Sequence, residues 1–217
     1  LDDVKDQDVR LAMIPVIAKH ATPQSSKAID ALRQVIEKTP EEVSRFEDRI
    51  DEPNLTKAWA VRGEAAKALG EIRSRGAFPA EEERRVRESL EAVLKDDSAD
   101  QSARVHAATA LGSFGLEAYS SLFRTLRAID EPGRDNRADK QLGSAVVVAL
   151  GNMARTSGNE TIFRGLVEAL HSQVDEVRQM AARQIVLMGA PAIKQVSATS
   201  EITLAAFCYQ WSQLDGE

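Results

Sequence analysis

The sequence is poor in cysteine, in aromatic residues and in long apolar runs. Cys208 is the single cysteine of the 217 residues, so no internal disulfide can form, and both a reducing and an oxidising compartment fit. Aromatic residues make up 5%, while alanine and leucine dominate, a composition typical of closely packed helices rather than of a β-sandwich or barrel. The longest apolar run, residues 145–150, is far shorter than the roughly 20 residues that span a bilayer. No membrane insertion is therefore expected.

Positive charge is also in the minority. Lysine and arginine number 28 against 34 aspartates and glutamates, which gives a net charge of −6. Proteins bind DNA and anionic membranes through cationic surface that displaces counterions, so non-specific binding to either is not expected. A local basic patch is still compatible with this balance.

Sequence motifs for catalysis and metal binding are absent as well. The chain has no HExxH, no CxxC and no glycine-rich phosphate-binding motif. Three histidines are scattered along the chain, none followed by a glutamate: His20, His106 and His171. Cys208, between Phe207 and Tyr209, is expected to be a packed thiol in the last helix rather than a nucleophile. The sequence therefore predicts no catalytic residue, no metal site and no cofactor.

What the sequence does contain is an internal repeat. The phrase at residues 61–70, Val-Arg-Gly-Glu-Ala-Ala-Lys-Ala-Leu-Gly, recurs in altered form at residues 103–112, 142–151 and 177–182. The four copies begin 42, 39 and 35 residues apart. A recurrence at this period indicates an array of like units, which in most cases presents a surface that holds another molecule.

The apolar period within the array is that of a helix. Val86, Leu90, Val93 and Leu94 share one helical face, for example. Such stripes, with proline and glycine punctuation, predict helices at residues 6–20, 24–37, 41–50, 55–74, 80–95, 100–114, 116–129, 138–155, 160–171, 174–188, 190–197 and 201–213. The glycines near their ends are interpreted as helix stops: Gly70, Gly112, Gly115, Gly151 and Gly189.

These helices are predicted to pair, an outer helix followed by an inner one. The pairs are 24–37 with 55–74, 80–95 with 100–114, 116–129 with 138–155, and 160–171 with 174–188. Residues 1–217 are expected to form one domain of about five pairs. Three segments fall outside the pairs: an incomplete first repeat or cap at 1–22, a helical insertion at 38–54 and a capping helix at 198–217.

The phrase Asp-x-x-Val-Arg-x-x-Ala-Ala-x-Ala-Leu-Gly, seen in residues 100–112 and 174–182, resembles the short HEAT repeat of prokaryotes. The resemblance covers roughly residues 55–197. It implies an all-α fold of the HEAT/armadillo type, a right-handed superhelix (solenoid) of stacked antiparallel helix pairs. The third copy departs from the pattern, because Leu142 and Gly143 replace the usual Val-Arg. The polar link that the family's arginine makes to a neighbouring repeat is therefore in question at that step.

In this family the inner helices line a concave surface, and the residues around the alanines and the leucine point into it. Aligning the copies selects a mildly polar ridge: Glu64, Lys67, Glu71, His106, Thr109, Ser113, Val148, Asn152, Gln179 and Arg183. Such a ridge suits an extended peptide or a helix of another protein. The expected function is a non-enzymatic scaffold that binds a protein partner.

Two other functions stay open on the same resemblance. Bilin lyases of phycobilisomes use similar short repeats, so a ligand-handling protein is an alternative, although no histidine or cysteine stands out as a bilin contact. HEAT-like alkylpurine DNA glycosylases bind DNA through a cationic face with aromatic residues, whereas the cations of this ridge are Lys67 and Arg183 and it has no aromatic residue. Nucleic acid is not expected as a partner. The repeated His-Glu steps of HEAT-like deoxyhypusine hydroxylases are absent too.

An array that begins in mid-stack exposes an apolar end, which predicts a homodimer. Leu11, Ile14 and Ile17 lie at helical spacing within residues 1–17 and are the expected contact surface. The compartment is undetermined, with a cytoplasmic location favoured. The chain begins at Leu1 rather than methionine, so a native leader upstream of it is compatible with the sequence.

Overall fold

Helices form the secondary structure of the described chain. The structure, a computed structural model, describes residues 6–38, 52–97, 99–131, 136–198 and 201–214. Within them lie eleven helices: α1 Gln7–His20, α2 Ser26–Glu37, α3 Glu52–Ser74, α4 Ala80–Lys95, α5 Gln101–Leu111, α6 Leu116–Ile129, α7 Asn136–Ser157, α8 Glu160–Ala169, α9 Asp175–Leu187, α10 Ala190–Ser197 and α11 Glu201–Leu214. No strand occurs in those residues, so the predicted all-α fold is confirmed. The predicted helix 41–50 lies outside them.

Polar caps and glycines define several helix starts. Asp6, Asp100 and Asn159 each accept a hydrogen bond from a backbone N–H of the first turn, at 2.8 Å in all three cases. Gly115 and Gly189 precede α6 and α10, with φ angles of 69° and 85°. Residues that have a Cβ atom rarely adopt this backbone conformation. These local signals explain why the predicted boundaries agree with the structure to within a few residues.

The first compact unit, Leu1–Phe114, consists of two helix layers. Helices α1, α3 and α5 contact one another in order as the inner layer, and α2 contacts α4 in the outer layer. Helix α2 packs on α3 and α4 packs on α5, as the predicted pairs require. The core contains the alanines and leucines of the repeated phrase, all with no solvent exposure: Ala65, Ala66, Leu69, Ala107, Ala108 and Leu111. Small side chains at these positions allow the helices to approach closely.

The second compact unit, Gly115–Glu217, repeats this arrangement. Helices α7, α9 and α11 form its inner layer, and α6 contacts α8 in the outer layer. Helix α6 packs on α7, α8 on α9 and α10 on α11. Its buried core includes Val146, Val147, Leu150, Ala181, Ala182 and Ile185. The description of residues 1–217 as one domain stays a prediction, because helix pairs that contact only their neighbours can be grouped into compact units in either case.

Two of the glycines that were interpreted as helix stops lie inside helices. Gly70 is within α3 and Gly151 is within α7. A Cβ at Gly70 would lie 2.7 Å from the Cα of Ala110, and one at Gly151 would lie 2.7 Å from Cγ of Gln184. These glycines are therefore required for close helix approach, and the interpretation as helix ends is wrong for both.

The apolar face that α1 leaves exposed differs from the predicted one. Ile14 is fully buried, and Leu11 and Ile17 are half-buried, because α1 packs against α3 through this side of the helix. The exposed apolar side chains of α1 are instead Val9, Met13 and Val16. The predicted homodimer surface is corrected accordingly, and the homodimer itself stays a prediction.

Cys208 lies at an exposed position of α11. Among the described side chains of this helix, the buried ones are Thr203, Phe207 and Gln210, which fall on one side of it. Cys208 follows Phe207 by one residue and so turns away from that side. The expectation of a packed thiol is therefore wrong.

Candidate partner-binding surfaces

The predicted ridge residues lie in the inner layers and fall into two sets. The first inner surface, in unit Leu1–Phe114, contains Glu64, Lys67 and Glu71 of α3, His106 and Thr109 of α5, and Ser113 just after α5. The second inner surface, in unit Gly115–Glu217, contains Val148 and Asn152 of α7 and Gln179 and Arg183 of α9. All ten side chains are half-buried or exposed, whereas the flanking alanines and leucines are buried.

The first inner surface has mixed charge and hydroxyl groups that already have partners. Lys67 Nζ lies 3.4 Å from Glu64 Oε2, an exposed pair that contributes little to stability. Thr109 Oγ1 donates to the backbone carbonyl of its own helix at 2.9 Å, and Ser113 Oγ does the same at 2.7 Å. Because their protons are engaged, both hydroxyls face a ligand as acceptors.

His106, on the first inner surface, has a shifted pKa. Burial lowers the pKa of its imidazole, an effect that Glu64 and Asp100 oppose and that Lys67 adds to. Nδ1 is buried and has no hydrogen-bond partner among the described residues. It also lies where a Cβ at position 63 would come within 2.9 Å, so Gly63 makes room for the ring. The burial and the missing hydrogen-bond partner of Nδ1 thus favour a neutral histidine that packs against α3 at Gly63.

The second inner surface also includes Arg155, an arginine of α7 that was not in the predicted set. Arg155 Nη1 donates to Gln184 Oε1 at 2.7 Å, and Nη2 donates to Asn152 Oδ1. Gln184 is buried and reaches α7 because Gly151 has no side chain. The guanidinium is therefore fixed across the contact between α7 and α9 by neutral groups, and its charge is not compensated by them.

Two further members of the second inner surface are apolar. Leu187 is 60% exposed and lies one turn after Arg183 on α9. Tyr209 of α11 is 61% exposed and directly precedes the buried Gln210, as Arg183 directly precedes the buried Gln184. Helix α11 packs against α9, so Tyr209 lies on the inner helix next to the one that carries Arg183. Leu187 could have been predicted from its four-residue spacing from Arg183. Tyr209 could not, because α11 does not contain the repeated phrase.

The arginine of the repeated phrase links one repeat to the next at Arg62. Its Nε donates to the carbonyl of Ile36 at the end of α2 at 2.7 Å, and its Nη1 lies 3.7 Å from Asp96, which follows α4. The side chain is 8% exposed, and burial lowers the pKa of its guanidinium against the opposing effect of Asp96. The Trp59 ring lies 5.3 Å from the guanidinium carbon. Arg62 therefore joins its own pair to the next one.

The other two arginines of the phrase form hydrogen bonds within their own helix pairs instead. Arg104 Nε donates to the Leu94 carbonyl at 3.2 Å, and Arg178 Nη1 donates to the Ser172 carbonyl at 2.6 Å. At the third copy, a Cβ at Gly143 would lie 2.5 Å from Cγ2 of Val177. The departure from the pattern is thus explained by close contact between α7 and α9, which leaves no room for an arginine.

Unit Gly115–Glu217 also contains an open cavity of about 580 Å³ beside α8. Phe163 and Val167 are its buried apolar lining. His171 Nε2 and Thr203 Oγ1 lie 3.2 Å apart at one side. The remaining described residues around it are Glu160, Arg164, Glu168, Gln195 and Ala198. An apolar lining with a few polar groups is the usual makeup of small-molecule sites.

Neither a metal-binding cluster nor a membrane-spanning helix is found among the described residues. Among the residues it describes, no group of three or more His, Cys, Asp or Glu side chains is placed to hold a metal ion. None of the described helices combines the length and apolar character that crossing a membrane requires.

Residues 61–96 match the family model of the PBS lyase HEAT-like repeat. The chain contains a HEAT-like repeat. The matched segment begins beside Arg62 and ends at Asp96, so it includes both ends of the ion pair that joins two helix pairs. The resemblance to HEAT repeats stated from the sequence is confirmed.

The solved structures that this chain is similar to include two engineered proteins and a designed armadillo repeat protein, and no curated protein matches the chain. Two engineered proteins have TM-scores of 0.37 at 16% and 19% identity, covering 93% and 92% of this chain and 94% and 96% of their own. A designed armadillo repeat protein in complex with the peptide (KR)4 has a TM-score of 0.36 at 18% identity, covering 93% of this chain and 98% of its own.

Proposed function

We propose that this HEAT-repeat scaffold binds a protein partner along its inner-helix surfaces and does not catalyse a reaction. The observation that carries the proposal is the division of the inner helices into two faces. Alanines and leucines of the repeated phrase are buried, while side chains at fixed positions between them are exposed in both units. In repeat proteins the exposed positions vary independently of the core, so they can be adapted to a partner.

The test is affinity capture from source-cell lysate with identification by mass spectrometry. Lys67→Glu alters the first inner surface and Arg183→Glu alters the second. Arg124→Glu on the outer helix α6 is the matched control, since Arg124 is also exposed and the charge change is the same. Circular dichroism and thermal melting establish that all variants are folded.

We expect the parent and the Arg124→Glu control to retain the same partner, and at least one inner-surface variant to lose it. Retention of that partner by both inner-surface variants would place binding elsewhere. If the Arg124→Glu control loses the partner as well as the inner-surface variants, the loss is a general effect of the charge change and does not locate a binding site.

A ligand-handling function is a second candidate, which the cavity beside α8 favours. Its volume lies within the range of about 300–1,000 Å³ that small-molecule sites occupy. A ligand that enters it should contact Phe163, so Phe163→Ala is expected to abolish ligand-induced thermal stabilisation. A small-molecule screen by thermal shift, with Phe123→Ala on α6 as a control for aromatic loss, tests this. Stabilisation that Phe163→Ala leaves unchanged would exclude the cavity as the site.

A further inference from the structure

The second inner surface carries two arginines, and no described carboxylate forms an ion pair with either of them. Its guanidinium groups belong to Arg155 on α7 and Arg183 on α9. The acidic residues of α9 lie in its first turn, away from Arg183. There, Asp175 pairs with Arg178, and Glu176 accepts a hydrogen bond from Lys140 at 2.6 Å. Between residues 140 and 157, α7 contains no acidic residue.

The two arginines are available to a ligand in different ways. Arg155 is held in place by hydrogen bonds to Gln184 and Asn152, which are neutral and carry no charge to compensate the guanidinium. Arg183 is exposed and makes no ion pair with any described residue. A carboxylate that binds a fixed guanidinium loses less conformational entropy than one that must first order it.

Apolar contact area lies next to these charges. Leu187 follows Arg183 by one helical turn, and Tyr209 is an exposed residue of α11, the inner helix that packs against α9. Both side chains are about three-fifths exposed, at 60% and 61%. Tyrosine and arginine are the residue types that dominate binding energy at protein interfaces. The surface thus combines two cations with an aliphatic and an aromatic contact.

The first inner surface has the opposite character. Its carboxylates, Glu64 and Glu71, outnumber its lysine, and Lys67 already lies within reach of Glu64. Because the two surfaces differ in charge, they are expected to bind different classes of ligand.

We propose that the second inner surface binds an acidic, extended peptide segment of a protein partner. Carboxylates of the segment bind Arg155 and Arg183, and an apolar side chain packs on Leu187 and Tyr209. This inference rests on the proposed scaffold function and specifies the partner class for one of its surfaces.

The experiment measures binding of labelled peptides to the full chain by fluorescence anisotropy. The acidic probe is a fluorescein-labelled peptide in which pairs of glutamate alternate with single leucines. Two counterparts replace the glutamates by lysine or by serine. The chain variants are Arg183→Glu and Leu187→Ala, and their matched controls on the outer helix are Arg124→Glu and Leu116→Ala, both at exposed positions of α6.

The acidic peptide should bind more tightly than either counterpart, and added salt should weaken it. Arg183→Glu should weaken binding by about tenfold or more, and Leu187→Ala by a smaller factor, with both controls close to the parent. The inference is overturned if the lysine peptide binds as tightly, or if Arg124→Glu weakens binding as much as Arg183→Glu does.

The outcomes separate this inference from the proposed function. If the serine or lysine peptide binds and Leu187→Ala alone weakens it, the surface is a docking site, but not for an acidic partner. If no peptide binds, the acidic specificity is refuted, while the capture experiment with Lys67→Glu still decides whether the scaffold acts through its first inner surface.

Discussion

The two units bring their inner helices together at glycines, but different atoms meet those glycines. In unit Leu1–Phe114, a Cβ at Gly70 would lie 2.7 Å from the backbone Cα of Ala110. In unit Gly115–Glu217, the atoms that face Gly151 belong to the side chain of Gln184. The same residue of the repeated phrase therefore permits backbone contact in one unit and accommodates a polar side chain in the other.

This difference has a functional consequence. Backbone-to-backbone contact cannot adjust without moving a helix, so the α3–α5 contact is expected to be rigid. At Gly151 the room is used by an amide that orients Arg155 at 2.7 Å. A position that looks purely structural in the sequence thus supports a charged group of the second inner surface.

The largest effect is expected where the two units are alike. Leu111 and Leu150 occupy the same position of the repeated phrase and are both fully buried. Truncation to alanine should lower the free energy of unfolding by about 2–5 kcal/mol in either case, through lost burial and the cavity left behind. Chemical denaturation of Leu111→Ala and Leu150→Ala measures both losses. A variant that unfolds like the parent would contradict the equivalence of the two cores.

The two glycines should differ in a substitution series. Gly70→Ala places a methyl group against backbone and should destabilise the chain by about 1–3 kcal/mol, despite the better helix propensity of alanine. Gly151→Ala should cost less, because the end of the Gln184 side chain can move aside. The effect of Gly151→Ala should appear instead at the surface, where Arg155 loses Gln184, one of its two hydrogen-bond partners. Thermal melting compares the stability of the two variants, and binding of the acidic peptide measures the effect on Arg155. Equal destabilisation by Gly70→Ala and Gly151→Ala would contradict the difference between the two units.

The arginines of the phrase allow a finer comparison between the units. Arg62 is 8% exposed on its side chain and Arg178 is 24% exposed, although both donate to a backbone carbonyl. Arg62→Met should cost about 1–3 kcal/mol, because the buried carbonyl of Ile36 loses its donor. Arg178→Met should cost less, since the Arg178 side chain itself is more exposed to water than that of Arg62. Denaturant titration of both variants is the measurement, and a larger loss at Arg178 would be evidence against burial as the cause.

Most of the fold could be predicted from the sequence because its signals are local. The proline and glycine punctuation and the helical stripe from Val86 to Leu94 depend on a few neighbouring residues, and they located helices correctly. Gly70 and Gly151 were misinterpreted because a glycine that ends a helix and one that admits a neighbour look the same in one sequence. Only the position of Ala110 or of Gln184 distinguishes them.

The candidate surfaces were harder to predict for a related reason. Alignment of the phrase selected Arg183 and Lys67 correctly as exposed inner-helix positions. It could not select Tyr209, since α11 does not repeat the phrase, nor Arg155, whose position depends on a hydrogen bond across two helices. Exposure follows from helical period, whereas the fixing of a side chain depends on tertiary contacts that a single sequence does not record.

The smallest effect concerns His106, the histidine of the first inner surface. Burial lowers the pKa of its imidazole in the folded chain from an ordinary value of 6.5. The unfolded chain therefore takes up this proton at a higher pH than the folded chain. The stability contributed by the neutral ring is present above about pH 6.5 and is lost as the pH falls towards the lower folded pKa.

Between pH 7.5 and 5, unit Leu1–Phe114 should therefore lose stability more steeply in the parent than in His106→Gln. Denaturant titrations across this interval measure the slope, and His20→Gln, which removes an exposed histidine of α1, is the matched control. Gly63 supplies the space that the ring occupies, and Glu64, Asp100 and Lys67 are the charges that act on it. A parent slope equal to that of His106→Gln would mean that those carboxylates offset the burial of the ring, and that the first inner surface does not sense pH through this histidine.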